Sequence, residues 1–361
     1  MRRLSILELI PGMVIAETVF SYDRHVILSQ GTTLTDNLIS RLDLYGVLTV
    51  CVTDDTSAEL LANQEFSDKP ESYSQRIKNA PAFQAFRKDY ELNVEGLKSA
   101  LNAIVEKNIP LDVTNLLKHS LDMISTHHGT IGILDMLSNM REYDDSTYTH
   151  CMNVALICNI VAGWLHMSQS DIELATACGL LHDVGKLLVP QSIITKPAKL
   201  SDSEYSQIQK HPVSGYQLLL SQNVDEHVRN SALMHHERWD GSGYPLRLKG
   251  NQIDRFASIV SIADVYDAMT AARVYRGPLC PFRVIEIFEE EGFQKYDVSI
   301  MLTFLENVVN TYIGNRCLLS DGREAEIIFI NKDKLSCPIV QCNDQYINIA
   351  DFPNLRIEKI I

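Results

Sequence analysis

Basic residues are scarce in this chain of 361 residues. It contains 32 Lys and Arg against 46 Asp and Glu, and its formal net charge is −14. Proteins that bind nucleic acids generally present a basic surface to the phosphates. We therefore expect no DNA or RNA partner, and an anionic ligand must find positive charge in a local site.

Cysteines in metal-binding or redox spacing are also missing. None of the eight Cys residues forms a CxxC pair, and several lie in apolar helical segments such as 151–162. CxxC pairs are typical of zinc sites and thioredoxin-like redox sites. Their absence favours reduced core cysteines and a cytoplasmic location.

The sequence has no hydrophobic run long enough to span a membrane. The longest candidate, residues 151–165, is shorter than the roughly 18 apolar residues that a spanning helix requires. Near the start of the chain, Glu8 and Pro11 interrupt the apolar stretch before it could serve as a signal core. We expect a soluble cytoplasmic protein that has no membrane partner.

The distribution of apolar residues divides the chain into four parts. Residues 1–53 contain short β-branched segments and predict a small β-rich module, whereas residues 54–80 are polar and predict a linker. Residues 81–310 have apolar positions three and four apart, which predicts a helical domain. Residues 311–361 return to strand-like segments and predict a small C-terminal β module. The expected fold class is therefore mainly α, with flanking β-rich modules.

The segment LLHDVGKLL, residues 180–188, places His182, Asp183 and Lys186 in an apolar stretch. Burying these ionisable groups without partners would be costly. The pattern predicts a helix that carries the motif and is closed by Pro190. We therefore expect a partner that compensates for the burial of these three ionisable groups.

Five histidines and a further aspartate fall in short segments of similar pattern. They are His150 in TYTHCMNVALI, His182, His211 in QKHPVSGYQLL, His235 and His236 in ALMHHERWDGSGYP, and Asp264 in SIADVYDAMT. A single helix histidine is more often an ordinary core or surface residue. Five imidazoles and two carboxylates on apolar helices, however, cannot all satisfy one another. Cations would satisfy them, because imidazole and carboxylate are ligands that suit Fe, Mn and Zn when thiolate is absent.

The number of donors points to two ions. Five imidazoles and two carboxylates exceed the roughly four to six ligands that one transition ion takes. A carboxylate can bridge two ions held about 3.5–4 Å apart, and Asp183 is the expected bridge. Lys186 lies one turn beyond His182, so we expect it on the same face, where it can present a cation to an anionic substrate.

Together these motifs resemble a known family. His150, the His182–Asp183 pair and Asp264 are similar to the H…HD…D pattern of the HD phosphohydrolase superfamily. The longer pattern of HDVGK, HP..G, HHE..DGSGYP and IADVYDAMTAARVYR resembles its HD-GYP branch, the cyclic di-GMP phosphodiesterases, over roughly residues 110–310. The resemblance implies an HD-type helical fold with a metal centre between helices. It also implies hydrolysis of cyclic di-GMP to linear pGpG, and in some members onward to GMP.

The resemblance further implies two divalent metal ions with defined ligands. One ion is expected at His150, His182, Asp183 and Asp264, and the second at Asp183, His211, His235 and His236. Fe and Mn are the expected metals, and Zn stays open because the same ligands suit it. Family members with a third metal carry a Glu one turn before the first histidine, where this chain has Ser146, so we expect two ions. A substitute ligand from Asp144 or Asp145 stays open.

Further residues match the substrate-binding positions of the family. Lys186 matches the motif lysine, Arg273 and Arg276 match the basic positions that grip phosphate, and Gly243 and Tyr244 belong to the GYP loop. Asp183 and Lys186 are the expected catalytic residues. In this hypothesis a hydroxide that bridges the ions attacks phosphorus, and Lys186 stabilises the departing ribose oxygen.

Several alternatives stay open at this stage. The same centre could act on another cyclic dinucleotide, such as cyclic GMP-AMP, or on a nucleotide. A non-catalytic sensor of cyclic dinucleotides is a further alternative, although the full set of motif residues favours catalysis. The GYP loop could also dock a diguanylate cyclase, and a homodimer is left open.

Overall fold

The computed structural model describes most of the chain, in two compact units. The described residues are 2–5, 9–10, 13–20, 26–28, 30–32, 34, 38–39, 42, 49–53, 77–107, 109–127, 130–140, 146–196, 198, 200–222, 224–271, 279–343 and 345–361. The first unit covers Met1–Glu71 and the second covers Ser72–Ile361.

The first unit contains short antiparallel strands. They are β1 (Arg2–Ser5), β2 (Val19–Phe20), β3 (Val26–Leu28) and β4 (Thr49–Val52). Strand β1 pairs with β4, with Arg2 opposite Val52, and β2 pairs with β3. Leu4, Ile15 and Val50 belong to its buried apolar core. Strand β1 was not predicted, because RRLS does not show the β-branched pattern that marks the other strands.

The second unit is built from helices followed by a sheet. Its α-helices are α1 (Pro81–Lys107), α2 (Val113–Thr126), α3 (Thr130–Met140), α4 (Thr147–Trp164), α5 (Gln169–Leu181), α6 (Gln191–Ile194), α7 (Asp202–Ile208), α8 (His211–Leu220), α9 (Glu226–Met234), α10 (Arg255–Thr270), α11 (Pro281–Ile287), α12 (Phe293–Lys295) and α13 (Val298–Asn310). Short 3-10 helices cover Val184–Leu188, Gly250–Gln252 and Ile349–Asp351, and a π-helical turn covers Phe288–Gly292.

The C-terminal strands form an antiparallel sheet of five strands. They are β5 (Arg316–Leu319), β6 (Glu324–Phe329), β7 (Ile339–Cys342), β8 (Gln345–Asn348) and β9 (Ile357–Ile360). Their spatial order is β8-β7-β6-β5-β9. Inward-facing residues such as Cys317 and Ile327 belong to the same apolar core as the helices, which joins the sheet to the helical body.

Helices α4 and α10 form the centre of the helical body. Both are buried along nearly their whole length, as expected of helices whose apolar residues cover every face. Their first turns are held by side-chain caps, because Ser146 accepts a hydrogen bond from the Thr149 N–H and Asp254 accepts one from the Phe256 N–H. His150 on α4 and Asp264 on α10 belong to the functional site described below.

The prediction that one helix carries the HD motif as far as Pro190 is wrong. Helix α5 ends at Leu181 with His182 as its C-cap, and the chain continues as the 3-10 helix Val184–Leu188. The reason is close main-chain packing at Gly185, where a Cβ atom would lie 2.0 Å from the carbonyl oxygen of His211. A continuous α-helix is not required by an apolar pattern of this length, and tertiary packing decides here.

The predicted mainly helical fold with small β-rich modules at both ends is confirmed. The boundaries 1–53, 54–80, 81–310 and 311–361 stay predictions. All eight cysteines are free, in agreement with the reduced state predicted for them. Within the described ranges, every helix is too short or too polar to cross a bilayer.

Candidate metal centre

The seven predicted metal ligands lie in two adjoining groups in the second unit. Asp183, His211, His235 and His236 form one group, and His150, His182 and Asp264 form the other. Within each group, one donor atom per residue lies within 4.8 Å of those of the others. The Asp183 carboxylate adjoins both groups, since its Oδ1 lies 3.2 Å from His211 Nε2 and its Oδ2 lies 3.6 Å from His150 Nε2. The roles of these residues as ligands stay predictions.

Main-chain carbonyls orient three of the imidazoles. The Nδ1–H of His182 donates to the carbonyl of Gly179 at 2.7 Å, and the Nδ1–H of His211 donates to that of Ile208 at 2.7 Å. His235 donates in the same way to the carbonyl of Ser231 at 3.0 Å. Because a carbonyl only accepts, Nδ1 carries the proton in each ring. Nε2 of each ring then lies 3.2–3.6 Å from a carboxylate oxygen of Asp183, an orientation also seen in imidazoles that bind metals.

Two polar atoms in the centre have no hydrogen-bond partner among the residues that the structure describes. They are Nε2 of His182 and Oδ1 of Asp183, and both residues are fully buried. A buried polar atom left without a partner costs free energy. Both atoms are of the types that bind Fe, Mn and Zn, so the donor set fits divalent transition metals.

The carboxylates and Lys186 carry charge at the centre. Burial acts to raise the pKa of Asp183, but Lys186 and His182 outweigh it and hold that pKa well below its ordinary value. The pKa of Asp264 is likewise held low against burial, chiefly by His150. Burial acts to lower the pKa of Lys186, yet the charges of Asp183 and Asp264 raise it. Lys186 contacts Asp183 directly and remains an ammonium group at neutral pH.

Two imidazoles of the centre are neutral. Burial lowers the pKa of His235 to about 4. Burial, together with the neighbouring His235, lowers that of His236 well below its ordinary value. Neutral imidazole is the form that binds a metal ion, so these environments favour metal binding.

Asp267 is a site residue that the sequence analysis missed. Its Oδ2 accepts a hydrogen bond from His150 Nδ1 at 2.8 Å, and its Oδ1 accepts one from Asn153 Nδ2 at 3.1 Å. Burial acts to lower the pKa of His150, but its hydrogen bonds with Asp264 and Asp267 raise it to about 9. The signal was present in the sequence, because Asp267 lies three residues after Asp264 in an apolar helix and must share its face.

The GYP loop folds back onto the centre. The Tyr244 ring stacks on the His236 imidazole, with ring centroids 4.8 Å apart. A Cβ atom on Gly243 would lie 2.5 Å from the carbonyl oxygen of His236, so only glycine allows this approach. The predicted role of Gly243 and Tyr244 in substrate binding stays a prediction.

The other residues named from the sequence are Arg273, Arg276, Asp144, Asp145 and Ser146. Arg273 and Arg276 lie outside the described residues, as do Asp144 and Asp145. Ser146 caps helix α4 through its hydroxyl oxygen. Its side chain therefore has a local structural partner at the position where three-metal members of the family carry Glu.

Comparison with known proteins agrees with this geometry. Residues 135–300 match the family model described as HD domain. A cyclic di-GMP phosphodiesterase of Pseudomonas aeruginosa is 38% identical over 206 residues, which cover 57% of this chain and 50% of that protein. The 3'3'-cGAMP-specific phosphodiesterase 2 of Vibrio cholerae is 28% identical over 297 residues, which cover 76% of this chain and 56% of that protein.

A second Vibrio cholerae protein, 3'3'-cGAMP-specific phosphodiesterase 1, is 40% identical over 148 residues, which cover 40% of this chain and 34% of that protein. The chain thus spans about half the length, or less, of these relatives. The family match contains all seven residues of the two groups. Residues 135–300, slightly under half of this chain, are therefore similar to the HD domain family.

Proposed function

We propose that this chain is a metal-dependent phosphodiesterase that hydrolyses cyclic di-GMP to linear pGpG, with further hydrolysis to GMP as an open second step. The observation that carries the proposal is the gathering of five imidazoles and the Asp264 carboxylate around Asp183. The relatives named as cyclic di-GMP and 3'3'-cGAMP phosphodiesterases support a cyclic dinucleotide as the substrate class.

The proposed centre holds two divalent transition metals, with Fe or Mn as first choices and Zn as the third. His150, His182, Asp183 and Asp264 would hold one ion, and Asp183, His211, His235 and His236 would hold the other. The unpartnered Nε2 of His182 and Oδ1 of Asp183 support this assignment. When bound, the metals neutralise phosphate charge and make a nucleophile available at neutral pH.

Lys186 brings a positively charged side chain to the proposed metal centre. Its ammonium group contacts Asp183, and its side chain is 24% exposed, so it borders the space that a phosphate would enter. In the proposed reaction this group stabilises negative charge on the departing ribose oxygen. Asp183 keeps Lys186 protonated and holds it against the centre.

Arg273 and Arg276 complete the proposal as phosphate-binding residues. Both lie in the segment RVYR, which follows helix α10 in sequence. A guanidinium group can grip a phosphate through two parallel charge-assisted hydrogen bonds. Gly243 and Tyr244, beside His236, are also proposed to contact the substrate.

A second candidate substrate is 3'3'-cGAMP, because a relative named for that specificity aligns over the larger part of this chain. A third reading is a sensor that binds a cyclic dinucleotide without cutting it. The presence of Lys186 and of all seven predicted ligands favours hydrolysis over sensing.

The test is turnover by the purified chain after loading with Fe²⁺, Mn²⁺ or Zn²⁺ under anaerobic conditions. Cyclic di-GMP, 3'3'-cGAMP and cyclic di-AMP would be assayed in parallel, with product identification by mass spectrometry. We expect release of pGpG, and we expect Asp183→Asn to reduce both turnover and bound metal by at least about 100-fold. Preferential cleavage of 3'3'-cGAMP would replace the proposed substrate, and binding without cleavage would favour the sensor.

A further inference from the structure

His236 differs from the other four histidines of the centre in how its ring is held. The other rings each donate an Nδ1–H to Asp267, Gly179, Ile208 or Ser231. No hydrogen bond to another described residue orients the His236 ring, and its Nδ1 lies 3.9 Å from Asp264 Oδ2. A ring without such a bond can rotate about its side-chain torsions unless packing prevents it.

The rings of His235 and His211 lie beside His236, with centroids 4.1 and 5.0 Å away. From outside this histidine cluster, Tyr244 packs on the His236 ring. The two rings are nearly parallel, with an interplanar angle of 25° and centroids 4.8 Å apart. The main chain returns close by, because the Tyr244 N–H donates to the His236 carbonyl at 3.2 Å. Gly243 lets the loop lie directly against His236 and Glu237.

Glu237 holds the chain that follows Tyr244. Its side chain is buried, with only 2% of the residue exposed. Its Oε1 accepts hydrogen bonds from the N–H groups of Leu246 at 2.6 Å and Arg247 at 3.1 Å. Its Oε2 accepts one from the N–H of Leu248 at 3.0 Å. Three successive N–H groups on one buried carboxylate make a strong, charge-assisted anchor.

We propose that Glu237 is a positioning residue that acts on His236 through Tyr244. The carboxylate fixes residues 246–248, the fixed loop presses the Tyr244 ring against His236, and this stacking takes the place of the hydrogen bond that the ring lacks. The inference rests on the proposed metal centre, in which His236 is a ligand. Its effect is confined to the ion shared by Asp183, His211, His235 and His236.

The test compares the affinity for Co²⁺ of the full chain and its variants, measured by titration of visible absorption without any substrate. Glu237→Gln keeps one acceptor oxygen but offers an amide N–H to the loop, so at least one of the three bonds is lost. We expect one of the two binding steps to weaken about tenfold, with a changed absorption band, and the other to stay within twofold. The matched control is Glu289→Gln, because Glu289 accepts similar bonds from the N–H groups of Leu335 and Ser336, between strands β6 and β7.

Variants of Tyr244 test the route of the effect. Tyr244→Phe keeps the ring and should keep both affinities within twofold, whereas Tyr244→Ala should weaken the same step as Glu237→Gln. Because both changes act through one chain of contacts, the double variant should be no weaker than the poorer single variant. If Glu237→Gln fails to fold, the Co²⁺ affinities of Tyr244→Phe and Tyr244→Ala alone test whether Tyr244 restrains His236.

Equal effects of Glu237→Gln and Glu289→Gln on Co²⁺ binding would overturn the inference, as would additive losses in the double variant. Equal affinities of Tyr244→Phe and Tyr244→Ala would also overturn it. A chain that binds two Co²⁺ ions with the expected variant pattern, but hydrolyses no cyclic dinucleotide, would refute the proposed activity and leave the role of Glu237 standing.

Discussion

The Nε2 atoms of His211 and His235 lie 3.2 Å apart, while the Nδ1–H of each ring donates to a main-chain carbonyl. A hydrogen bond between the two Nε2 atoms would require one ring to carry two protons. Burial opposes a second proton on His235, because it lowers the pKa of that ring to about 4. A divalent cation would accept both lone pairs without a shared proton, and His211 and His235 are among the residues that would hold it.

Metal binding should therefore stabilise the fold. At a free metal concentration 100 times the dissociation constant, the expected gain is about 2.7 kcal/mol for each bound ion, or an increase in Tm of roughly 4 °C per ion for a unit of this size. Differential scanning calorimetry with and without Mn²⁺ would measure it. The variant His227→Gln, whose change lies outside the centre, should show the full increase in Tm. A Tm that does not change on addition of Mn²⁺, Fe²⁺ or Zn²⁺ would contradict the two-metal assignment.

Asp267→Asn should weaken the centre without unfolding it. The amide keeps the size of the side chain but removes the charge opposite His150 Nδ1, which lies 2.8 Å away. Loss of such a partner typically costs 10–100-fold in metal affinity or activity. Metal titration and steady-state kinetics would measure the loss, with Asp333→Asn in the C-terminal part as the control. Wild-type affinity in Asp267→Asn would show that His150 needs no carboxylate partner.

Gly185→Ala should destabilise the protein by about 3 kcal/mol or more. A methyl group at this position would lie 2.0 Å from the His211 carbonyl oxygen and 2.7 Å from the Gly215 nitrogen. Both contacts are to main chain, so helix α8 must move away from the HD motif and take His211 with it. Urea denaturation would give the free energy of unfolding, and Gly163→Ala, which meets no neighbouring atom within 4 Å, is the control. A change below about 1 kcal/mol for Gly185→Ala would contradict this packing.

The ion pair of His227 with Asp254 should make stability depend on pH. Burial acts to lower the pKa of His227, but its hydrogen bond with Asp254 at 2.7 Å and the charge of that residue raise it above 6.5. The stabilisation is therefore fully present below pH 6.5 and is lost as pH rises through the raised pKa.

His227→Gln tests this pH dependence. Because the His227 side chain is 48% exposed, solvent screening limits the effect to about 0.2–1 kcal/mol. Urea denaturation of the wild type and the variant at acidic and alkaline pH would measure the difference. If the difference in free energy of unfolding between the wild type and His227→Gln grew as pH rises, the sign would be opposite to the expected one. The ion pair of His227 with Asp254 would then not be the source of the pH dependence.

The sequence alone predicted the helical body, both β-rich modules, Asp183 and the six residues that lie around it. Helical periodicity and residue chemistry are local properties, so they can be read without coordinates. The break of the helix at Leu181 could not be predicted, since it depends on the contact of Gly185 with the main chain of His211.

Asp267 and Glu237 show the same division between local and tertiary information. Asp267 lies three residues after Asp264, but its partner His150 is more than a hundred residues away in the chain. Glu237 follows His236 directly, but its partners lie in a loop of irregular backbone. Residue types and spacings determined which chemistry this chain can perform. Only the tertiary structure decided which nitrogen of each imidazole faces Asp183 and which side chains hold the rings in place, because those properties depend on hydrogen bonds and packing between segments that sequence spacing does not bring together.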